Sequence, residues 1–315
     1  MMPSDSTYRA PKEWWMPYTD PSFMCSAYDN MSASWGSTHE ETWDVVKHTP
    51  YVGGQFIWTG FDYIGEPTPY GFPARSSYFG LIDLAGFPKD TYYMYQSEWT
   101  SKPMLHLFPH WNWLPGQDID LWAYYNNADE VELFINGKSQ GVRRKSLTSN
   151  PSPVERGTDN LCTAYHVCWR VNYEPGEVKA VSRKDGKTVC EQVIRTADQP
   201  DHIRLSVDYQ GKELTFITAE VVDAQGNLCP WAEDQLVFSV SGGSDAQIVA
   251  TDNGCQTSME RLRVSDDMSG MKLTSPSRKV FHGKCLIVVK GSCTLHAQSF
   301  MLKPANISLH TQKNN

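Results

Sequence analysis

Six side chains between positions 58 and 70 have the chemistry to hold a sugar: the rings of Trp58, Phe61, Tyr63 and Tyr70, and the carboxylates of Asp62 and Glu66. Flat aromatic faces stack on a pyranose, and carboxylates accept hydrogen bonds from its hydroxyls. The elements that must position them are legible next to them. Phe56, Ile57 and Trp58 form an uninterrupted apolar run, which predicts a strand buried on both faces. Gly60, Gly65, Pro67 and Pro69 then break regular structure one after another. A buried strand running into an irregular, aromatic-rich loop predicts half of a carbohydrate site.

The surroundings of that strand read as α/β material. Ser37-Thr38-His39-Glu40 has the form of a capping box and predicts a short helix through Glu41, Trp43, Val45, Val46 and Lys47, ended by Pro50. A helix leading into a buried strand is the repeating unit of a parallel α/β fold. After the loop, Arg75-Ser76-Ser77-Tyr78-Phe79-Gly80 leads toward an aromatic-rich helix predicted from Thr91 to about Thr100, and Pro103 closes the segment.

From Leu105 the pattern changes to alternation. Strands are predicted over Asp118–Tyr125 and up to Val131–Lys138, where Asn136-Gly137 marks a tight hairpin. Ser146–Asn160 reads as a loop, and Ala164–Tyr173, Glu177–Arg183 and Thr188–Arg195 as further strands. Ala197–Asp201 is a polar linker. Alternation then restarts over Ile203–Tyr209, Glu213–Val222, Leu236–Val240, Gln247–Thr251, Lys284–Val289 and Thr294–Phe300, with residues after Lys303 expected to fray. Short strands with turn signals at this spacing predict two antiparallel sandwiches.

Composition narrows the partners. A 315-residue chain has room for two or three domains, and a net charge of −8 with 20% charged residues argues against nucleic acid or an anionic membrane. The expected ligand is neutral. The 11 Trp and 15 Tyr suit sugar binding and equally suit sandwich cores. The eight cysteines have no CxxC pair and no nearby histidine at zinc-finger spacing, so structural zinc is not expected. Buried free thiols are favoured over pairs such as Cys162–Cys190 or Cys285–Cys293. No stretch has the length of a membrane span. Met1-Met2-Pro3-Ser4-Asp5-Ser6 lacks the apolar segment of a secretion signal, which at face value keeps the chain in the cytoplasm.

The run Gly53-Gly54-Gln55-Phe56-Ile57-Trp58-Thr59-Gly60-Phe61-Asp62-Tyr63-Ile64-Gly65-Glu66-Pro67, followed by Ser77-Tyr78-Phe79-Gly80-Leu81-Ile82-Asp83-Leu84-Ala85-Gly86-Phe87-Pro88-Lys89-Asp90, resembles the C-terminal part of glycoside hydrolase family 2. The likeness is greatest to multidomain β-galactosidases of the Bacteroides type. It extends through Val131–Gly141, Asp252-Asn253-Gly254 and Arg278–Leu286. The resemblance implies a mainly β chain: residues 1–103 as the C-terminal end-piece of a TIM (β/α)8 barrel, 104–197 and 198–303 as two immunoglobulin-like β-sandwiches, and 304–315 as a tail. It implies that Trp58 ends the eighth barrel strand and stacks on galactose, and that Asp62 braces the loop or bonds a hydroxyl. Glu66, Arg75 and Tyr78 share that loop system and are the remaining candidates for binding substrate. The alternative for Asp62 and Arg75 is purely local structure, capping turns or pairing with each other, and for Trp58 a place in the core.

One departure from the family bears on the chemistry. Retaining glycosidases need an acid/base carboxyl and a nucleophilic carboxylate about 5–5.5 Å apart. The family carries the first in an Asn-Glu pair, which occurs nowhere here, and the second just before the region where this sequence begins. Glu13, Glu40 and Glu41 suit helix starts and solvated faces, so no catalytic residue, metal or cofactor is assigned. The expected partners are a β-galactoside or related glycan and, for Trp14, Trp15, Trp35, Trp43 and Phe56, either the first sandwich, the upstream part of a barrel or another subunit. Full-length relatives of this kind are usually exported. A second reading is a non-catalytic sugar-binding or scaffolding module, with Trp111, Trp113 and Trp231 as candidate platforms.

Overall fold

The computed structural model describes residues 6–7, 19–30, 32–33, 35–146, 162–263 and 276–310. The predicted loop at 147–160, together with Glu13, Trp14 and Trp15, lies outside the described residues. The chain is mainly β and forms two compact units, Met1–Asp83 with Pro88–Thr196, and Leu84–Phe87 with Ala197–Asn315.

In the first unit, helices α1 (His39–Lys47) and α2 (Asp90–Trp99) precede seven strands. These are β1 (Leu105–Phe108), β2 (Asp118–Tyr125), β3 (Glu130–Ile135), β4 (Lys138–Arg143), β5 (His166–Asn172), β6 (Glu177–Lys184) and β7 (Lys187–Arg195). They form an antiparallel three-stranded sheet, β1-β2-β5, and a four-stranded one, β4-β3-β6-β7. The inward-facing Ile119, Leu121, Ala123, Val167 and Trp169 of the first meet Val131, Leu133, Val178 and Ala180 of the second in a shared core. The hairpins follow their sequence signals. Asn136 and Gly137 have φ of 49° and 79°, and Asp185 and Gly186 of 50° and 75°, the left-handed backbone that type I′ turns require.

The three-stranded sheet is buried on its other face too. Trp122, Tyr124, Phe108 and Cys168 pack on Tyr28, Leu81, Met94 and Tyr95 from the α-helical segment. Every residue of β2 after Asp118 is therefore buried, although the sheet is antiparallel. Sequence alternation does not show this second burial.

The second unit repeats the two-sheet plan with β8 (His202–Gln210), β9 (Leu214–Val222), β10 (Gln235–Ser241), β11 (Gln247–Asp252), β12 (Ser277–Lys279), β13 (Lys284–Lys290), β14 (Cys293–Gln298) and β15 (Ala305–Leu309). Sheets β11-β13-β9-β8 and β12-β10-β14-β15 close on a core of Ile217, Val221, Leu236, Phe238, Ile287 and Leu295. Residues 305–309 are thus not frayed, as the sequence suggested. Ile307 and Leu309 alternate with Asn306 and Ser308, and the segment pairs with β14 from Ala297↔Ala305 to Cys293↔Leu309.

Gly53–Trp58 is not the doubly buried strand its apolar run predicted. It has no ladder partner among the described residues, and burial alternates along it. Gln55 and Ile57 turn inward, where the Gln55 amide donates to the Tyr95 hydroxyl at 3.1 Å, whereas Phe56 and Trp58 are exposed. A parallel strand becomes buried on both faces only when neighbours cover it, and the described residues supply cover for one face.

Candidate functional site

The loop after Trp58 is held by short-range pairing. Thr59 N–H donates to the Phe79 carbonyl and Leu81 N–H to the Thr59 carbonyl, and Phe61 bridges Ile82 in parallel. Gly80 makes this approach possible. A Cβ there would sit 2.1 Å from the Asp62 nitrogen and 2.5 Å from the Ile82 oxygen, so only glycine fits. The Trp58–Thr59 peptide is cis.

A cleft of about 480 Å³ opens beside this loop, lined by two stretches, Cys25–His39 and Trp58–Thr91. Of the five residues predicted to bind substrate, Trp58, Glu66 and Tyr78 line it and Asp62 and Arg75 do not. Trp58 is 72% exposed among the described residues. Its indole N–H donates to the Tyr63 hydroxyl at 3.1 Å, and that hydroxyl donates to the Glu66 carboxylate, making one chain of ring, phenol and acid. Tyr78 donates to the Phe23 carbonyl at 2.8 Å, which commits its phenol to backbone, and its ring packs at a tilt against Tyr70 with centroids 4.3 Å apart.

Asp62 is buried, accepting from Gly80 N–H at 2.8 Å and from the Lys89 ammonium at 2.8 Å. It pairs with Lys89 and not with Arg75. Burial works against the Lys89 charge, but the neighbouring Cys25 and Asp62 outweigh it and hold the ammonium above its ordinary range. Arg75 keeps Nε and one terminal nitrogen buried with no hydrogen-bond partner among the described residues. Buried N–H groups left unmade are costly.

The other stretch holds residues that sequence reasoning missed. The Asp29 carboxylate receives the N–H groups of His39 at 3.0 Å and Glu40 at 2.7 Å, capping α1 from ten residues upstream. Thr38 makes no side-chain cap, so the predicted capping box does not form. Burial raises the Asp29 carboxyl despite those two bonds. Burial likewise lowers His39, which keeps the imidazole neutral with Nδ1 at 3.1 Å from the Tyr95 hydroxyl. Glu40, expected on a solvated face, is buried instead and reaches His166 Nδ1 at 2.6 Å and the Thr163 hydroxyl at 2.9 Å. Glu41 is exposed, as expected. Trp35 is 67% exposed at the cleft and Trp43 packs edge-on against Trp99. A tryptophan between Ser34 and Gly36, where no helix or strand can bury it, was the available signal for Trp35.

The platforms considered for a binding module fare less well. Trp111 is fully buried, Trp113 is half-buried and stacked on His110 at 4.6 Å, and Trp231 alone of the three is more than a third exposed, at 43%. Among the described residues, no group of three or more His, Cys, Asp or Glu could hold a metal ion, and no helix is long and apolar enough to cross a membrane. All eight cysteines are free thiols.

Residues 199–308 match glycoside hydrolase family 2 C-terminal domain 5, and residues 116–190 match a domain of unknown function, DUF4982. The chain is thus similar to the C-terminal part of family 2 glycoside hydrolases. It is 50% identical to β-galactosidase BoGH2A of Bacteroides ovatus over 99% of this chain and 34% of that protein. It is 36% identical to a putative β-glucuronidase of Formosa agariphila over 73% of this chain and 21% of that one. The crystal structure of a β-glycosidase from Bacteroides vulgatus superposes with a TM-score of 0.76 at 31% identity, covering 92% of this chain and 34% of that one. The chain thus spans about a third or less of the length of these relatives.

Proposed function

We propose that the chain is the C-terminal portion of a β-galactosidase-like retaining exo-glycosidase that hydrolyses O-glycosyl bonds, and that it supplies substrate-binding residues and accessory sandwiches. The observation that carries this reading is Trp58. Its indole stands open at the cleft, tied through Tyr63 to Glu66, in a chain half identical to a β-galactosidase. In this reading Trp58 stacks on the galactose ring, Glu66 accepts from a hydroxyl, and Tyr78 and Asp62 fix the loop. Arg75 offers its orphaned N–H groups to an acceptor outside the described residues.

The proposal extends to architecture. Residues 1–103 are read as a TIM-barrel end-piece, supported by α1, α2 and the parallel bridge Phe61↔Ile82. Each group of strands is read as immunoglobulin-like, supported by antiparallel sheets of three and four strands in one and four and four in the other. The catalytic acid/base and nucleophile are assigned to polypeptide outside these 315 residues. Phe56, Phe61, Ile64 and Phe72, all more than half exposed, are its proposed contact face.

The test is to titrate the purified chain with galactose by calorimetry and to assay it with a nitrophenyl β-galactoside. Binding that Trp58→Ala weakens at least about tenfold, a loss of about 1.4 kcal/mol, with no turnover, is expected. Turnover by the chain itself, abolished by Trp58→Ala, would place the catalytic carboxyls on it and refute their assignment elsewhere.

A further inference from the structure

His39 opens α1 and lines the cleft, and its hydrogen bonds fix where its proton sits. Nδ1 lies 3.1 Å from the Tyr95 hydroxyl. That hydroxyl has two hydrogen-bond partners among the described residues, His39 Nδ1 and the Gln55 amide, which donates to it at 3.1 Å. The Tyr95 oxygen is thus already an acceptor, and its own proton needs one. A buried hydroxyl is seldom left unmatched. His39 Nδ1 is the acceptor in place, so Tyr95 O–H donates to it.

Burial keeps the His39 ring neutral, and a neutral imidazole carries a single N–H. With Nδ1 accepting, that proton is on Nε2. The neighbouring Asp29 carboxylate takes the backbone N–H groups of His39 and Glu40. Nε2 makes no hydrogen bond among the described residues and is not sealed from solvent, so the ring presents it to the cleft it lines. The stretch that ends at His39 therefore supplies a hydrogen-bond donor, whereas Glu66 on the other stretch is an acceptor.

Resting on the carbohydrate reading of this cleft, we propose that His39 is a further sugar-binding residue, whose Nε2–H donates to a hydroxyl oxygen of the ligand in the tautomer that the Tyr95 hydroxyl sets. Between them Glu66 and His39 then meet both halves of a hydroxyl-bearing ring, one taking a hydroxyl proton and the other giving one to a hydroxyl oxygen. Tyr95 is a positioning residue, since it reaches the sugar only through the imidazole. An uncharged donor of this kind needs no charge on the ligand, which suits a neutral glycoside.

Two measurements on the full chain at pH 7 test this. 15N NMR of the imidazoles, with His39 assigned by its absence in His39→Gln, is expected to show Nε2 protonated and Nδ1 bare. Galactose should shift the Nε2 signal, and Tyr95→Phe should turn His39 into a mixture of tautomers. In calorimetric titration with galactose, His39→Ala is expected to weaken binding about fivefold, the effect of one neutral hydrogen bond. His39→Gln, which keeps a side-chain N–H, should recover part of that loss. The Asp29 cap uses only backbone N–H groups at positions 39 and 40, so both variants retain it, and their melting temperatures check the fold. Should His39→Ala not fold, the tautomer and its response to galactose in the parent decide alone. A proton on Nδ1, an Nε2 signal indifferent to bound galactose, or a folded His39→Ala that binds as tightly as the parent would overturn the proposal. Galactose binding weakened by Trp58→Ala but not by His39→Ala leaves the carbohydrate reading standing and removes His39 from it. Absence of galactose binding by the parent sinks both.

Discussion

Strand β2, at the centre of the sheet β1-β2-β5, and strand β8, at one edge of the sheet β11-β13-β9-β8, have similar alternation, yet their surroundings differ. β2 is buried at every position after Asp118, whereas β8 exposes Arg204, Ser206 and every residue from Val207 to Gln210. The outer face of β2 and its neighbour β5 carries Trp122, Tyr124, His166 and Cys168, a mixed aromatic and polar set. His166 stacks on Trp122 at 3.5 Å and receives Glu40 from α1 at 2.6 Å. The difference teaches that the first sandwich is also a base plate. Its spare face clamps the segment bearing the cleft, through Tyr28, Met94 and Tyr95 in the apolar part and Glu40 in the polar part. The second sandwich keeps a single core between its sheets.

The largest expected effect separates these two roles. Trp122→Ala and Phe238→Ala each remove a large buried ring, at a cost of about 3–5 kcal/mol. Only the first should loosen the cleft-bearing segment. Hydrogen exchange is expected to show protection lost across α1 and α2 in Trp122→Ala, and confined to residues 197–310 in Phe238→Ala. Loss of α1 protection in both variants would end the distinction. Next in size is Glu40→Ala, which leaves His166 and Thr163 with unmet hydrogen bonds in a buried place, at about 1.5–3 kcal/mol. A double-mutant cycle with His166→Ala should return a coupling of about 1 kcal/mol or more, measured by denaturant unfolding. Coupling near zero would mean the pair does not tie α1 to β5.

Much of this was legible in the residues and some could not be. Alternation is local, so Asp118–Tyr125 was read with its true limits, and Asn136-Gly137 announced its hairpin. The apolar run Phe56-Ile57-Trp58 was misread because hydrophobicity tells what a side chain prefers, not which face receives a partner. Asp29 caps a helix from ten residues away, and Glu40 meets His166 across 126 positions. Both contacts depend on the chain already being folded. Capping rules see only the nearest neighbours, so Ser37 to Glu40 looked sufficient by itself. At the site, residue type pointed to the cleft through Trp58, Glu66 and Tyr78, while Asp62 and Arg75 were recognisable as important but not as lying away from the lining. β15 was hidden by its shortness and by Pro304 before it.

The effect that is smallest at neutral pH concerns acid. Burial lowers His110 to about 3 from an ordinary 6.5, so the folded first unit holds it neutral where the unfolded chain would protonate it. Its Nδ1 accepts the Asn112 N–H at 3.2 Å and its ring stacks on Trp113, which fixes the neutral form in place. For a base whose folded value is depressed, the unfolded state binds more protons below 6.5, so stability is fully present above that pH and falls as the pH drops toward about 3. The slope from this one group is about 1.4 kcal/mol per pH unit. His39, lowered by burial as well, acts in the same direction on the same unit. His110→Asn, whose Oδ1 can take the Asn112 N–H, is expected to flatten the pH dependence of urea unfolding for residues 19–196 over that window, with little change at pH 7. An unaltered slope in the variant would show that His110 titrates in the folded protein as it does in the unfolded chain, and that the acid sensitivity of the first unit has another source.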